Sequence, residues 1–283
     1  MIFQEILPSP PLRHLIRNYL LVNLWDDANV LPVKPYPTRI EQALVFFARG
    51  YITSFDHVNH TQKKIAPNAI FGQQVSRLDF QPTADEDFLM LMVIFQPGAL
   101  HKVFRLPAHE LTCQFADAES IGSIKFQRVN DAIANCKNYG GMIDCVEKFL
   151  CAEINKVSIE TDPIDTIARL LLDHPYSFSL DWFAGQANLS PRQFERKFLK
   201  QIGTSPKLYS RISRFAKAFE FKERNPGTDW ASIALQFGFT DYYHLSKDFK
   251  QFGNVTPNVL FEQYSKRPEM VLFHPPSPTT LSL

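Results

Sequence analysis

Cysteine is scarce in this sequence, and the few that occur are not arranged for chemistry. Cys113, Cys136, Cys145 and Cys151 form no C-x-x-C pair and no His/Cys grouping with zinc-site spacing. They read as buried, reduced thiols, each packing as a small hydrophobe. Long apolar runs are missing too: the longest, 88–95 (FLMLMVIF), has strand length and falls short of the roughly 18–20 residues a membrane span needs. The first twenty residues lack the basic, apolar, small-residue order of a signal peptide. A cytoplasmic chain with no membrane partner is expected. No glycine-rich phosphate loop and no G-x-S-x-G elbow occurs, so neither a cofactor nor an enzyme activity is expected. His57-Val58-Asn59-His60 has the look of half a metal centre, but no glutamate and third histidine follow at suitable spacing, and an exposed loop is the expectation.

What is present is a soluble globular composition, 45% hydrophobic and 21% charged over 283 residues, enough for two domains that each bury a core. The net charge of +1 conceals an asymmetry. Residues 1–163 carry 15 basic against 18 acidic side chains, and residues 164–267 carry 15 against 10. Basic excess confined to one region suits a surface that faces phosphate, although a solvated helical surface gives the same count.

Organisation changes along the chain in the same place. QALVFFARG (42–50), YITSF (51–55), NAIFGQQV (68–75) and FLMLMVIF (88–95) are β-branched and aromatic, separated by Pro, Gly, Asn and Asp clusters. Helical spacing takes over at 99–105, 121–136 and 140–156. The expected fold class is α+β: a β-rich, cupin- or barrel-like N-terminal domain with trailing helices over 1–157, a linker at 158–163, an all-α domain over 164–267, and a disordered Pro/Ser-rich tail at 268–283.

An internal repeat organises the second domain. FLKQIGTSP (198–206) recurs as FKQFGNVTP (249–257), 51 residues on, and each copy follows a short apolar helix, a tight turn and a second helix. In the first copy Ser179 is placed to cap the first helix, Asn188 to make a left-handed turn, and Ser190 to cap the second helix with Phe194 and Phe198 inward. In the second copy Ile233, Ala234 and Phe237 form the inward stripe, Gly238 makes the turn, and Thr240 or Asp241 caps a helix packed through Leu245 and Phe249. Two helices joined by a short turn with a small residue have helix-turn-helix geometry. One such pattern is weak, because many helical proteins contain the corner; two in tandem, joined by a helix at 206–223, are specific.

The segments LSPRQFERKF, GTSPKLY and GFTDYYHLSKDFK, within about 100 residues (164–265), closely resemble the DNA-binding domain of the AraC/XylS family of transcription regulators. Asn188 and Asn254 stand where that family often has glycine, and asparagine is the next best residue for a left-handed turn. The resemblance implies double-stranded DNA as partner, and RNA polymerase as well if the protein activates. It places Arg192, Glu195 and Arg196 of the first unit, and Tyr242, Tyr243 and Lys247 of the second, at base-reading positions. Arginine pairs with both guanine acceptors and glutamate accepts from a cytosine amino group. Lys197, Lys200, Lys207, His244 and Lys250 are the candidate phosphate partners, which set affinity without reading sequence. On the connecting helix, Leu208, Ile212, Phe215 and Phe219 form core, and Arg211, Arg214 and Lys217 are expected on a solvated face with some phosphate contact.

The N-terminal half resembles the family's variable sensor domains only loosely. Its apolar strands ALVFF and FLMLMVIF would look alike as the wall of a small-molecule effector pocket and as core. Segment 121–156 suits a homodimer interface and packing on the β body equally. Two other readings stay open: a cupin-like catalytic domain fused to the DNA-binding unit, which lacks its metal or nucleophile, and tandem units that bind protein partners in place of DNA.

Overall fold

The computed structural model describes residues 2–25, 33–56, 60–83, 87–122, 125–157, 160, 162–175 and 178–265. Three of the sequence expectations, the tail at 268–283, half of the 158–163 linker and most of the His57–His60 loop, lie outside the described residues. No described helix is long and apolar enough to cross a membrane.

The N-terminal half is two antiparallel sheets. The strands are β1 (Ile2–Ile6), β2 (Ile16–Trp25), β3 (Lys34–Tyr36), β4 (Ala43–Arg49), β5 (Tyr51–Asp56), β6 (Thr61–Lys64), β7 (Asn68–Phe71), β8 (Leu78–Thr83), β9 (Asp87–Phe95) and β10 (Phe115–Asp117). One sheet runs β1-β2-β9-β4-β7-β10 and the other β3-β8-β5-β6. Strand β9 explains the architecture. Its side chains alternate between faces, and both faces are buried. Leu89, Leu91, Val93 and Phe95 join one core cluster, and Phe88, Met90, Met92 and Ile94 join another.

The first of those clusters is closed by helices α1 (Ala99–Phe104), α2 (Ala118–Gly122), α3 (Lys125–Ala134) and α4 (Tyr139–Ile154). Phe126, Ile133, Met142, Val146, Phe149 and Leu150 are buried against the large sheet. The described helices of the 121–156 segment, α3 and α4, therefore spend their apolar faces on their own β body. The cysteines depart from expectation: Cys113, Cys136 and Cys145 are half-buried and Cys151 is exposed, all four free.

The C-terminal half is helical: α5 (Pro163–Asp173), α6 (Leu180–Gln186), α7 (Pro191–Ile202), α8 (Pro206–Arg224), α9 (Trp230–Gln236), α10 (Tyr242–Gly253) and α11 (Pro257–Ser265). One cluster unites these helices, with Phe194, Phe198, Ile212, Phe215, Leu245, Phe249 and Phe252 fully buried around α8. Ile40 of the N-terminal half enters the same cluster, so the two halves share buried surface.

Candidate nucleic-acid interface

Each repeat forms two helices across a tight corner. In the first, Ser179 accepts a hydrogen bond from the Trp182 amide at 3.3 Å and starts α6. Asn188 then takes φ +53°, and Ser190 opens α7 through a capping box with Gln193. In the second, Asp229 caps α9 through the Ala231 and Ser232 amides, Gly238 turns at φ +70°, and Asp241 accepts from the His244 amide at 2.7 Å to start α10. Of the two expected caps for α10, Asp241 is the one used. The second corner has one more residue between turn and cap than the first, as the shift in repeat offset requires.

The faces of α7 and α10 divide cleanly. Phe194 and Phe198 point into the core while Arg192, Glu195, Arg196 and Lys200 are exposed, and no ion pair engages Glu195 among the described residues. On α10 Leu245 and Phe249 are buried; Tyr242 is 41% exposed and Tyr243 72%. Both tyrosines therefore face outward, with Lys247 5.7 Å above the Tyr243 ring. Lys207 and Lys250 are exposed. Two candidate phosphate partners are partly engaged within the chain. Lys197 forms an ion pair with Asp162 at 2.9 Å, and the half-buried His244 ring lies 3.3 Å from the Thr240 hydroxyl.

The connecting helix α8 corrects one expectation. Arg211 and Arg214 are not a solvated phosphate face. Both donate to Asp248 of α10, at 2.6 and 3.4 Å, and Asp248 is only 1% exposed. Arg211 also reaches Gln251 at 2.6 Å, and Arg214 reaches the Gly238 carbonyl at 3.2 Å and lies 4.2 Å from the Phe239 ring. These arginines fix the second unit to α8. The pairing was missed because Asp248 sits in a polar stretch, SKDFK, where an acid reads as solvent-facing.

A cavity of about 1010 Å³ opens between the two sheets and the α8 side of the C-terminal half. Val45, Phe47, Phe71, Phe88, Met90 and Met92 line its apolar part, so ALVFF and FLMLMVIF serve as core on one face and cavity wall on the other. Tyr36 and Arg39, then Lys217 and Phe219 of α8, stand at the boundary of the two halves. Burial and the neighbouring Glu41, whose carboxylate accepts from the phenol, push the Tyr36 hydroxyl well above the ordinary tyrosine value. Among the described residues no group of three or more His, Cys, Asp or Glu side chains is placed to hold a metal ion.

Two family models match the chain: a helix-turn-helix domain over residues 183–263, and a domain of unknown function (DUF6597) over residues 4–117. The helix-turn-helix match spans both corners and both capped second helices. Residues 183–263 form a helix-turn-helix domain. Among curated proteins, the HTH-type transcriptional regulator MtrA of Neisseria gonorrhoeae is 29% identical over 101 residues, which is 35% of this chain. The match spans about a third (32%) of the length of that relative. Among solved structures, ToxT from Vibrio cholerae covers 87% of this chain and 97% of its own, at 12% identity and a TM-score of 0.49. The DNA-binding domain of AdpA, solved with a target DNA, covers 38% of this chain and 98% of its own at 22% identity and a TM-score of 0.35.

Proposed function

We propose that this protein is a sequence-specific transcription regulator that reads two successive major grooves of double-stranded DNA with α7 and α10. One observation carries the reading: two capped helices at equivalent places in a repeat expose polar N-terminal faces, while one shared helix, α8, holds both. The second helix of a helix-turn-helix enters the major groove, and its outward N-terminal side chains reach base edges. Those side chains are Arg192, Glu195 and Arg196 on α7, and Tyr242, Tyr243 and Lys247 on α10. Lys200, Lys207 and Lys250 serve as phosphate contacts, with Lys197 and His244 joining them once their internal partners are exchanged. Successive grooves on one face lie about 34 Å apart, so a single chain reads a long asymmetric site.

The cavity supports control by an apolar small-molecule effector bound in the N-terminal domain, because pockets of this kind are concave, mostly apolar and few per protein. In this reading residues 158–163 separate effector and DNA domains, the chain works in the cytoplasm, and an activating role would bring RNA polymerase as partner, with a homodimer as the assembly on paired sites.

Binding-site selection from random duplexes with the full chain, at two salt concentrations, tests the proposal. The expected result is a bipartite motif with half-sites about one helical turn apart and affinity that falls steeply with salt. Binding that is insensitive to salt and enriches no motif would favour tandem units that contact protein alone.

A further inference from the structure

The two reading helices are gripped from behind by the N-terminal domain, and the grip is the same kind at both. A helix leaves its last carbonyls without intrahelical donors. At the end of α7, the Gln42 side-chain amide donates to the Ile202 carbonyl at 3.1 Å, and the Thr112 hydroxyl donates to the Gly203 carbonyl at 2.6 Å. At the end of α10, the Thr38 hydroxyl donates to the Phe252 carbonyl at 3.0 Å, and Arg77 to the Gly253 carbonyl at 3.4 Å. Ile202 and Gly253 are equivalent positions, 51 residues apart in the repeat. Thr38, Gln42 and Arg77 are all buried. Arg77 is itself held by Asp79 at 2.6 Å and by Gln263 of α11 at 2.8 Å.

Two further features show that these contacts are built into the fold. Gly203 takes φ +94°, and a Cβ there would lie 3.0 Å from the Ala108 carbonyl oxygen and 3.2 Å from the Thr112 hydroxyl, so glycine is what lets α7 come this close. Thr38 and Gln42 belong to one short segment between β3 and β4, which touches α10 at one end and α7 at the other. The exposed N-terminal faces lie a whole helix away, roughly 18 Å at 1.5 Å per residue over twelve residues. The grip therefore leaves the reading faces open.

We propose that Thr38, Gln42, Arg77 and Thr112 are positioning residues for DNA recognition: by holding the C-terminal carbonyls of α7 and α10, the N-terminal domain sets the spacing of the two reading helices. The proposal rests on the DNA-reading assignment above and extends it. The helix α8 links the units, and the four donors add a second, independent tie between them. Residues 38–41 of the bridging segment also wall the cavity, which puts the tie within reach of whatever occupies it.

The test uses the full chain, the duplex recovered by site selection, and versions of it with the half-site separation changed by one and two base pairs. Thr38→Val with Thr112→Val removes one donor per helix and keeps shape. A lost hydrogen bond corresponds to about two- to tenfold in an equilibrium, so the double variant should discriminate between spacings at least threefold less sharply than wild type. A duplex carrying only the first half-site should bind both proteins alike, and Thr38→Ser with Thr112→Ser should restore the wild-type profile. A structural role alone would lower the unfolding midpoint and leave the spacing profile intact; that outcome overturns the proposal. Wild type that binds no duplex would overturn the DNA reading and this proposal together.

Discussion

Replacing Asp248 by alanine removes the carboxylate that anchors α8 to the second helix-turn-helix unit. Asp248 is 1% exposed and accepts from Arg211 and Arg214, whose side chains are 33% and 13% exposed. Removing one partner of a buried ion pair costs about 3–5 kcal/mol, because the other charge is left stranded. Here the stranding is partial. Arg211 keeps Gln251 and can turn to water, and Arg214 keeps the Gly238 carbonyl and the Phe239 ring. The cost therefore falls at or just below that range, about 2–3 kcal/mol. With a urea dependence of about 1–3 kcal/mol per molar, the transition of the C-terminal domain should move down by about 0.7–3 M. Asp248→Asn keeps the shape and one acceptor, and should fall between alanine and wild type. Binding to a duplex with only the first half-site should persist in both variants while contact with the second weakens. An unchanged urea midpoint in Asp248→Ala would refute the assignment of Asp248 as the anchor.

Arg196→Ala should cost about 1–3 kcal/mol at the selected site and relax specificity at one or two base positions, whereas Lys250→Ala should weaken all sequences alike and lower the salt slope by about one; quantitative titration against a mismatch panel separates the two. Gly203→Ala forces a left-handed conformation that costs about 1–2 kcal/mol and crowds the Ala108 carbonyl, so calorimetry should show a lower midpoint. Met92→Trp narrows the apolar cavity and should weaken fluorescence enhancement of a neutral naphthylamine probe that wild type binds; equal enhancement would place the probe elsewhere. Burial alone would raise the Asp162 carboxyl, but donation from Gln201, the Ile164 amide and Lys197 outweighs it and holds the group below the ordinary carboxylate value. Because the folded value is depressed, the stabilisation is complete above about pH 4 and is lost as pH falls through the folded value. Asp162→Asn should therefore be less stable than wild type at neutral pH, and the two should converge in acid.

The reading units were legible in the sequence because their signals are local. Caps, left-handed turn residues and a period of three to four all act within one or two helical turns, so Ser190, Asn188, Gly238 and the Phe194/Phe198 stripe could be placed by pattern alone. The sheets were legible only where strands are strongly apolar. Strand β8 (LDFQPT) contains Pro82 and polar residues, and its place is fixed by pairing with β3 and β5, which no local pattern announces. Strands β1 and β2 went unread for a similar reason: β1 takes its register from β2, and β2 from β9, some seventy residues away.

What stayed invisible is consistent in kind. Asp248, Arg77, Thr38 and Gln42 are polar residues buried at junctions between units, and a polar side chain in a sequence reads as exposed until its partner is known. A buried polar group must be satisfied, so each of these side chains fixes a specific contact where an apolar one would only add area. Apolar packing on α8 would hold the two reading helices near one another but tolerate sliding by part of a turn. The directional bonds from Arg211 and Arg214 to α10, and from the N-terminal domain to the ends of both helices, remove that freedom. The proposed recognition of two grooves needs this, since a shift of a few ångströms moves a side chain from one base pair to the next at 3.4 Å per step. The residues proposed to read sequence could thus be named from the resemblance, while those proposed to set the reading frame appear only once the chain is folded.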